Sequence, residues 1–187
     1  TQVIVDGNTG GGCNVGIYST MAISSGALVN VTNNTMAISS GGALRGAGVV
    51  ISSNSRLDVS GIGTQLTVNG NTAEIDGGGI YINSASMIVS SGARVKVMNN
   101  VAKTGSGGGF SLKSIARFDI IGSNSHLLVS SNTAKKNGGG MALRDSSVVV
   151  RITSPSIFHN NTAEGVGGGL AYEDGENLGS GKLGDSH

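Results

Sequence analysis

A chain of 187 residues can bury one core, yet 33 of them are Gly, with one Pro, no Trp, three Tyr and three Phe. Gly at about two and a half times ordinary usage without Pro excludes collagen-like and Pro-rich disordered chains, and apolar residues in short alternating runs predict strands and turns in place of helices. The 12 basic and 11 acidic residues are scattered singly, which sets aside nucleic acid and anionic membranes as partners, and no apolar stretch approaches the ~20 residues of a membrane span.

The chain starts at Thr1-Gln2-Val3 with neither an initiator Met nor a signal peptide, so it is expected to be mature, trimmed or cut from something larger. Two signatures then recur: an apolar residue three before an Asn, and a small-residue triplet closed by one apolar residue. The first unit reads Val5 and Asn8, then Gly10-Gly11-Gly12-Cys13. The single cysteine, Cys13, falls at an inward place and reads as a small core residue. The second unit reads Val31 and Asn34, then Gly41-Gly42-Ala43-Leu44. Its surplus length is expected around Ser52 to Gly63, where Leu57-Asp58-Val59 forms an additional alternating run and a loop is expected to protrude.

The third unit reads Val68 and Asn71, then Gly77-Gly78-Gly79-Ile80, followed by the runs Ile80-Tyr81-Ile82, Met87-Ile88-Val89 and Val95-Lys96-Val97. The fourth reads Val97 and Asn100, then Gly107-Gly108-Gly109-Phe110, with Phe118-Asp119-Ile120 and Leu127-Leu128-Val129 behind it. The fifth reads Val129 and Asn132, then Gly138-Gly139-Gly140-Met141. The sixth reads Phe158 and Asn161, then Gly167-Gly168-Gly169-Leu170. From Asp174 onward no apolar alternation remains, so residues 1–174 form the repeat domain and 175–187 a Gly-rich polar tail or linker.

The residues closing the six triplets are spaced by 31, 36, 30, 31 and 29 positions. Three short strands per unit, each apolar on one face, predict a right-handed parallel β-helix of about six coils of roughly 30 residues, equivalent residues stacked ~4.8 Å apart. The glycines supply tight corners. Asn71, Asn100, Asn132 and Asn161 are predicted to form an internal amide ladder, Asn also tolerating the left-handed conformation of a corner. Six coils make a rod of about 25–30 Å whose end strands expose edges, which favours self-association.

The pairing of F-x-x-N with G-G-A-[ILV], here Phe158-His159-Asn160-Asn161 and Gly41-Gly42-Ala43-Leu44, resembles the repeat of polymorphic outer membrane proteins, whose passengers are similar to autotransporter passengers. The resemblance runs from about Val3 to Tyr172, although Phe fills its position once in six units and Gly replaces Ala in most triplets. It implies a surface-exposed, adhesive protein at the cell surface or outside the cell; the barrel strands of that family are absent from this sequence.

Chemistry-bearing residues read mostly as structural. Glu74, Lys103, Lys135 and Glu164 share one outward column, and Lys113, Arg144 and Glu173 a second, flanked by Asp145 and Asp174, so both read as cross-coil ion pairs. His126 and His159 alternate with inward Leu127 and Phe158 and fall in different columns, without a Ser or Cys partner. No cofactor or metal set is visible, and the chain reads as a non-enzymatic structural or adhesive segment whose partner is a protein, a glycan or another copy. The alternative is a polysaccharide lyase or hydrolase, which requires Asp58, Asp76 or Asp119 to meet a second carboxylate or an Arg in a groove. A further alternative, ice binding, rests on a Thr column of Thr72, Thr133 and Thr162 interrupted by Val101. Tyr18 and Tyr81 are the aromatics placed for a sugar platform, and the sequons at Asn30, Asn33 and Asn160 are compatible with glycosylation in an extracellular setting.

Overall fold

The computed structural model describes residues 1–16, 18–36 and 45–173, and every element among them is a β-strand. A part-turn of β1 (Gln2–Asp6), β2 (Cys13–Val15) and β3 (Thr20–Ile23) comes first. Four complete turns follow, beginning with β4 (Leu28–Thr32), β5 (Thr35–Met36), β6 (Val49–Ser52) and β7 (Arg56–Ser60). The next is β8 (Gln65–Asn69), β9 (Thr72–Ala73), β10 (Ile80–Asn83) and β11 (Ser86–Ser90), and after it β12 (Arg94–Met98), β13 (Val101–Ala102), β14 (Phe110–Lys113) and β15 (Arg117–Ile120). The fourth is β16 (His126–Ser130), β17 (Thr133–Ala134), β18 (Met141–Arg144) and β19 (Val149–Ile152), before a part-turn of β20 (Ser156–His159), β21 (Thr162–Ala163) and β22 (Leu170–Glu173).

All pairing is parallel and each strand lies on its counterpart one turn away, giving four stacked sheets. We number the faces in the order the chain meets them: the first holds β1, β4, β8, β12, β16 and β20, and the second β5, β9, β13, β17 and β21. The third holds β2, β6, β10, β14, β18 and β22, and the fourth β3, β7, β11, β15 and β19. The architecture is the expected all-β parallel solenoid. Its turns have four strands where the sequence suggested three, and four complete turns stand where six coils were expected. The missed strands have only two residues, such as Thr72–Ala73, too short to show a period of two.

The register corrects the second unit. Val49, and not Leu44, stands between Cys13 and Ile80, so Gly46-Ala47-Gly48-Val49 occupies the triplet position; Gly41 to Leu44 lie outside the described residues, as does the tail 174–187. The surplus residues are therefore not near Ser52 to Gly63. Leu57-Asp58-Val59 belongs to β7, an ordinary rung between β3 and β11, whereas Met36 to Val49 is thirteen positions where Ala73 to Ile80 is seven.

Alternation within each strand turns one set of side chains into a single continuous core. Val31, Val68, Val97 and Val129 stack on the first face, Ile80, Phe110 and Met141 on the third, and Leu57, Met87 and Phe118 on the fourth, all at most 1 % exposed. Phe110 and Phe118 meet across the interior with ring centroids 5.0 Å apart. Each such side chain contributes roughly 1.5–3 kcal/mol by leaving water.

The glycine corners explain why the third face is buried on both sides. Gly107, at φ +71°, folds the corner back over its own strand so closely that a Cβ there would lie 2.8 Å from the Ser111 Cβ. Ser111 and its register neighbours Tyr81 and Ala142 are accordingly buried although they point away from the core. Gly108 meets the next turn: a Cβ there would run into the Thr133 carbonyl oxygen.

Candidate functional site

The Asn column forms a directional chain of amides. In each rung both the backbone N–H and Nδ2 donate to Oδ1 of the Asn one turn on, from Asn8 to Asn34, Asn71, Asn100, Asn132 and Asn161, at 2.9–3.0 Å. Nδ2 also donates to the carbonyl of the apolar residue of the preceding turn's motif, as in Asn100 to Val68 at 3.1 Å and Asn132 to Val97 at 2.9 Å. This geometry explains the three-residue spacing: the apolar side chain enters the core while its carbonyl holds the next amide. Asn34, Asn71, Asn100 and Asn132 are fully buried, which such groups tolerate only when bonded. The left-handed corner residue is the one before each rung, not the rung itself: Gly7, Asn33, Gly70, Asn99, Ser131 and Asn160 have φ of 53–67°.

Two of the three sequon positions, Asn33 and Asn160, are these exposed corner residues, and Asn30 is half-buried on β4. Asn33 Nδ2 donates to Asp6 Oδ1 at 3.0 Å. The Thr32 hydroxyl, and then that amide, hold the Asp6 carboxyl below the ordinary aspartate value.

The carboxylates weighed for catalysis are held by arginines. Asp76 is buried, with Oδ1 accepting the Ser106 N–H at 2.9 Å and Oδ2 bonded to Arg45 Nε at 2.8 Å and to Arg144. Arg144 reaches it across a whole turn and also donates to Glu173 at 2.9 Å, tying several turns together outside the third face. Asp119 Oδ2 takes Arg117 at 2.8 Å and Arg151 at 3.2 Å, and the half-exposed Asp58 takes Arg56 at 2.7 Å. An Arg does stand beside each Asp as its counter-ion, while the buried Asp119 Oδ1 has no hydrogen-bond partner. The columns read from sequence also pair, Lys103 with Glu74 at 3.6 Å and Lys135 with Glu164 at 2.6 Å.

His126 and His159 are exposed and in different columns. The Thr column extends to Thr35, yet it is one rank on two-residue strands whose other residue points inward. Tyr81 offers no sugar platform: it is 6 % exposed, and burial pushes its phenol above the ordinary tyrosine value. Burial likewise raises the Cys13 thiol, whose Sγ lies 3.7 Å from Met21 Sδ. Among the described residues no group of three His, Cys, Asp or Glu is placed to hold a metal, and no helix is long and apolar enough to cross a membrane.

Sequence reasoning missed a recess at the corner from the fourth face to the first. There the connection has three residues in one turn and four in the next: 25–27, 61–64, 91–93 and 122–125 lie between matched strand positions. The short connection at Gly92 is thus flanked by two longer ones. A Cβ on Gly92 would meet Ile62 Cγ1 at 3.0 Å on one side and Asn124 Cβ at 3.7 Å on the other. The hollow of about 440 Å³ is lined by Leu28, Ile62, Gln65, Arg94 and His126 besides these connections. Its only sequence signal is one residue of length in alternate turns, visible once the flanking strands are in register.

A family model described as the Chlamydia polymorphic membrane protein repeat matches residues 65–83. That segment contains Val68, Asn71 and Gly77-Gly78-Gly79-Ile80, one full instance of the two-motif unit. Comparisons with curated proteins and with solved structures gave no match. The resemblance drawn from the motifs is thus matched at residues 65–83, one unit of a stack wound as a parallel β-solenoid.

Proposed function

We propose that the chain is a non-enzymatic adhesive segment displayed at a cell surface, the solenoid serving as a rigid scaffold for its outer faces. The observation that carries this reading is the surface-protein repeat at residues 65–83, set in a stack whose buried carboxylates are committed to arginines. Beads coated with the folded chain are expected to bind host-type cells saturably, and beads coated with heat-unfolded chain to lose that binding. Absence of cell binding, or release of sugar products from polysaccharides by the purified chain, overturns the proposal.

Self-association end to end is a second reading, favoured by the ladder's polarity. Every rung before Asn161 donates toward the Oδ1 of the rung that follows, so another copy stacked head to tail would extend the same bonds, as strand edges invite. Sedimentation is expected to show concentration-dependent assemblies that Asn8→Ala weakens; a monomer at all concentrations refutes this reading.

A further inference from the structure

We infer that the recess around Gly92 binds a carboxylated sugar residue of an acidic glycan, with Arg94 as the carboxylate anchor. The inference deepens the adhesive reading and rests on it. Its starting point is the distribution of charge. Seven Lys and Arg side chains hold carboxylates within 4.0 Å. Arg94 and Lys96 are in no ion pair among the described residues, and they stand two positions apart on the outer side of β12, where Val95 and Val97 point inward. His126 is the register partner of Arg94 one turn on. Lys113 and Lys136 are likewise in no ion pair among the described residues, but neither lines the recess, whereas Arg94 lines it and Lys96 stands two positions from Arg94 on the same outer side, which puts unpaired positive charge at the hollow.

The other lining groups select among anions. Ile62, 83 % exposed, and Leu28 give an apolar wall suited to the C–H face of a pyranose. The Gln65 amide donates to Thr67 Oγ1 at 3.1 Å, which leaves its carbonyl oxygen to accept from a sugar hydroxyl. His126 Nδ1 lies 2.9 Å from the Asn124 carbonyl, so a proton on Nδ1 fixes the ring and leaves Nε2 for a ligand. The guanidinium matches a carboxylate through two parallel bonds. A heavily sulfated chain instead needs cations repeated along its length, and beyond Lys96 the outer first face offers mainly apolar and neutral side chains such as Met98, Leu128 and Ile157. The lining includes no Asp or Glu, so the hollow provides binding without the carboxylate pair of glycosidic cleavage.

The test immobilises the folded chain and measures binding of hyaluronan oligosaccharides, which carry carboxylates and no sulfate, against neutral dextran, dextran sulfate and polyglutamate. Hyaluronan is expected to bind, more weakly as salt rises, and to lose about tenfold in affinity or more with Arg94→Gln, since one charge-assisted contact is worth that much. Arg94→Lys is expected to restore part of the loss, and Lys135→Gln, on another corner, to change nothing. Ile62→Asp, an exposed change that leaves the core untouched, is expected to give the same loss through repulsion. No hyaluronan binding by the folded chain, equal binding of polyglutamate or dextran sulfate, or indifference to both Arg94→Gln and Ile62→Asp overturns the inference. Coated beads that bind cells while the chain ignores hyaluronan overturn the ligand alone; hyaluronan binding on beads that ignore cells refutes the adhesive reading alone.

Discussion

Replacing Asn100 by Ala removes a central rung of the amide ladder, and the cost follows from its bonds. Oδ1 accepts from Asn71 N at 2.9 Å and Asn71 Nδ2 at 3.0 Å, while Nδ2 donates to Val68 O at 3.1 Å and Asn132 Oδ1 at 2.9 Å. Four bonds at about 0.5–1.5 kcal/mol each, with a buried Asn71 N–H left unpaired, amount to about 3–5 kcal/mol. That is a large share of the roughly 5–15 kcal/mol that holds an ordinary domain together. Asn161→Ala removes bonds of the same kind to Asn132 and Val129 from a half-exposed rung. Water replaces part of them, and the expected loss is about 1–2 kcal/mol. The chain has no Trp, so urea unfolding is followed by far-UV circular dichroism. Equal losses at the two positions, or less than about 1 kcal/mol at Asn100, would refute the reasoning that the buried amides hold the stack.

Further outcomes follow from the corners and the charged contacts. At Gly79 a Cβ would meet the Gly109 carbonyl oxygen at 2.7 Å and Asn100 Nδ2 at 2.9 Å, whereas at Gly169 it would meet nothing within 4 Å. Gly79→Ala is therefore expected to cost about 3 kcal/mol or abolish folding, and Gly169→Ala to stay within about 0.5 kcal/mol in the same urea assay. Asp76→Asn leaves Arg45 and Arg144 without their buried counter-ion and is expected to cost about 2–3 kcal/mol by thermal unfolding. The buried Tyr81 phenol holds its proton more tightly in the folded chain than in the unfolded one. Its contribution is thus intact below the ordinary tyrosine value of about 10 and is lost as pH rises through the folded value, so Tyr81→Phe is expected to flatten the alkaline fall in melting temperature.

Much of this fold is written in columns that can be read without coordinates, because a stack repeats each requirement at every turn. Val68 with Asn71, and Gly77-Gly78-Gly79-Ile80, state the core position, the ladder and the corner together, and the same residues recur in the turns that follow. The second unit misled because Gly41-Gly42-Ala43-Leu44 copies the motif more closely than Gly46-Ala47-Gly48-Val49 does; only the pairing of Val49 with Cys13 and Ile80 shows which is the corner. The second-face strands were illegible because two residues cannot display alternation. Tyr81 was misplaced because alternation tells inward from outward, not whether a folded-back corner covers the outside. The Gly92 recess was hidden for a related reason: a one-residue difference in turn length has no meaning until Gln65, Arg94 and His126 are known to lie side by side.

The whole account depends on equivalent residues of successive turns lying directly over one another. Cysteine pairs on the outer first face measure that register, in a Cys13→Ser background. Lys96 and Leu128 are register partners on adjacent turns, and Thr67 lies on the far side of Lys96. One rung of ~4.8 Å falls within the Cα separation a disulfide spans, about 4.4–6.8 Å, and two rungs do not. Oxidation is expected to link Lys96→Cys with Leu128→Cys in the folded chain and to leave Thr67→Cys with Leu128→Cys open. Failure of the first pair to close, or equal closure of the second, would contradict the stacked register.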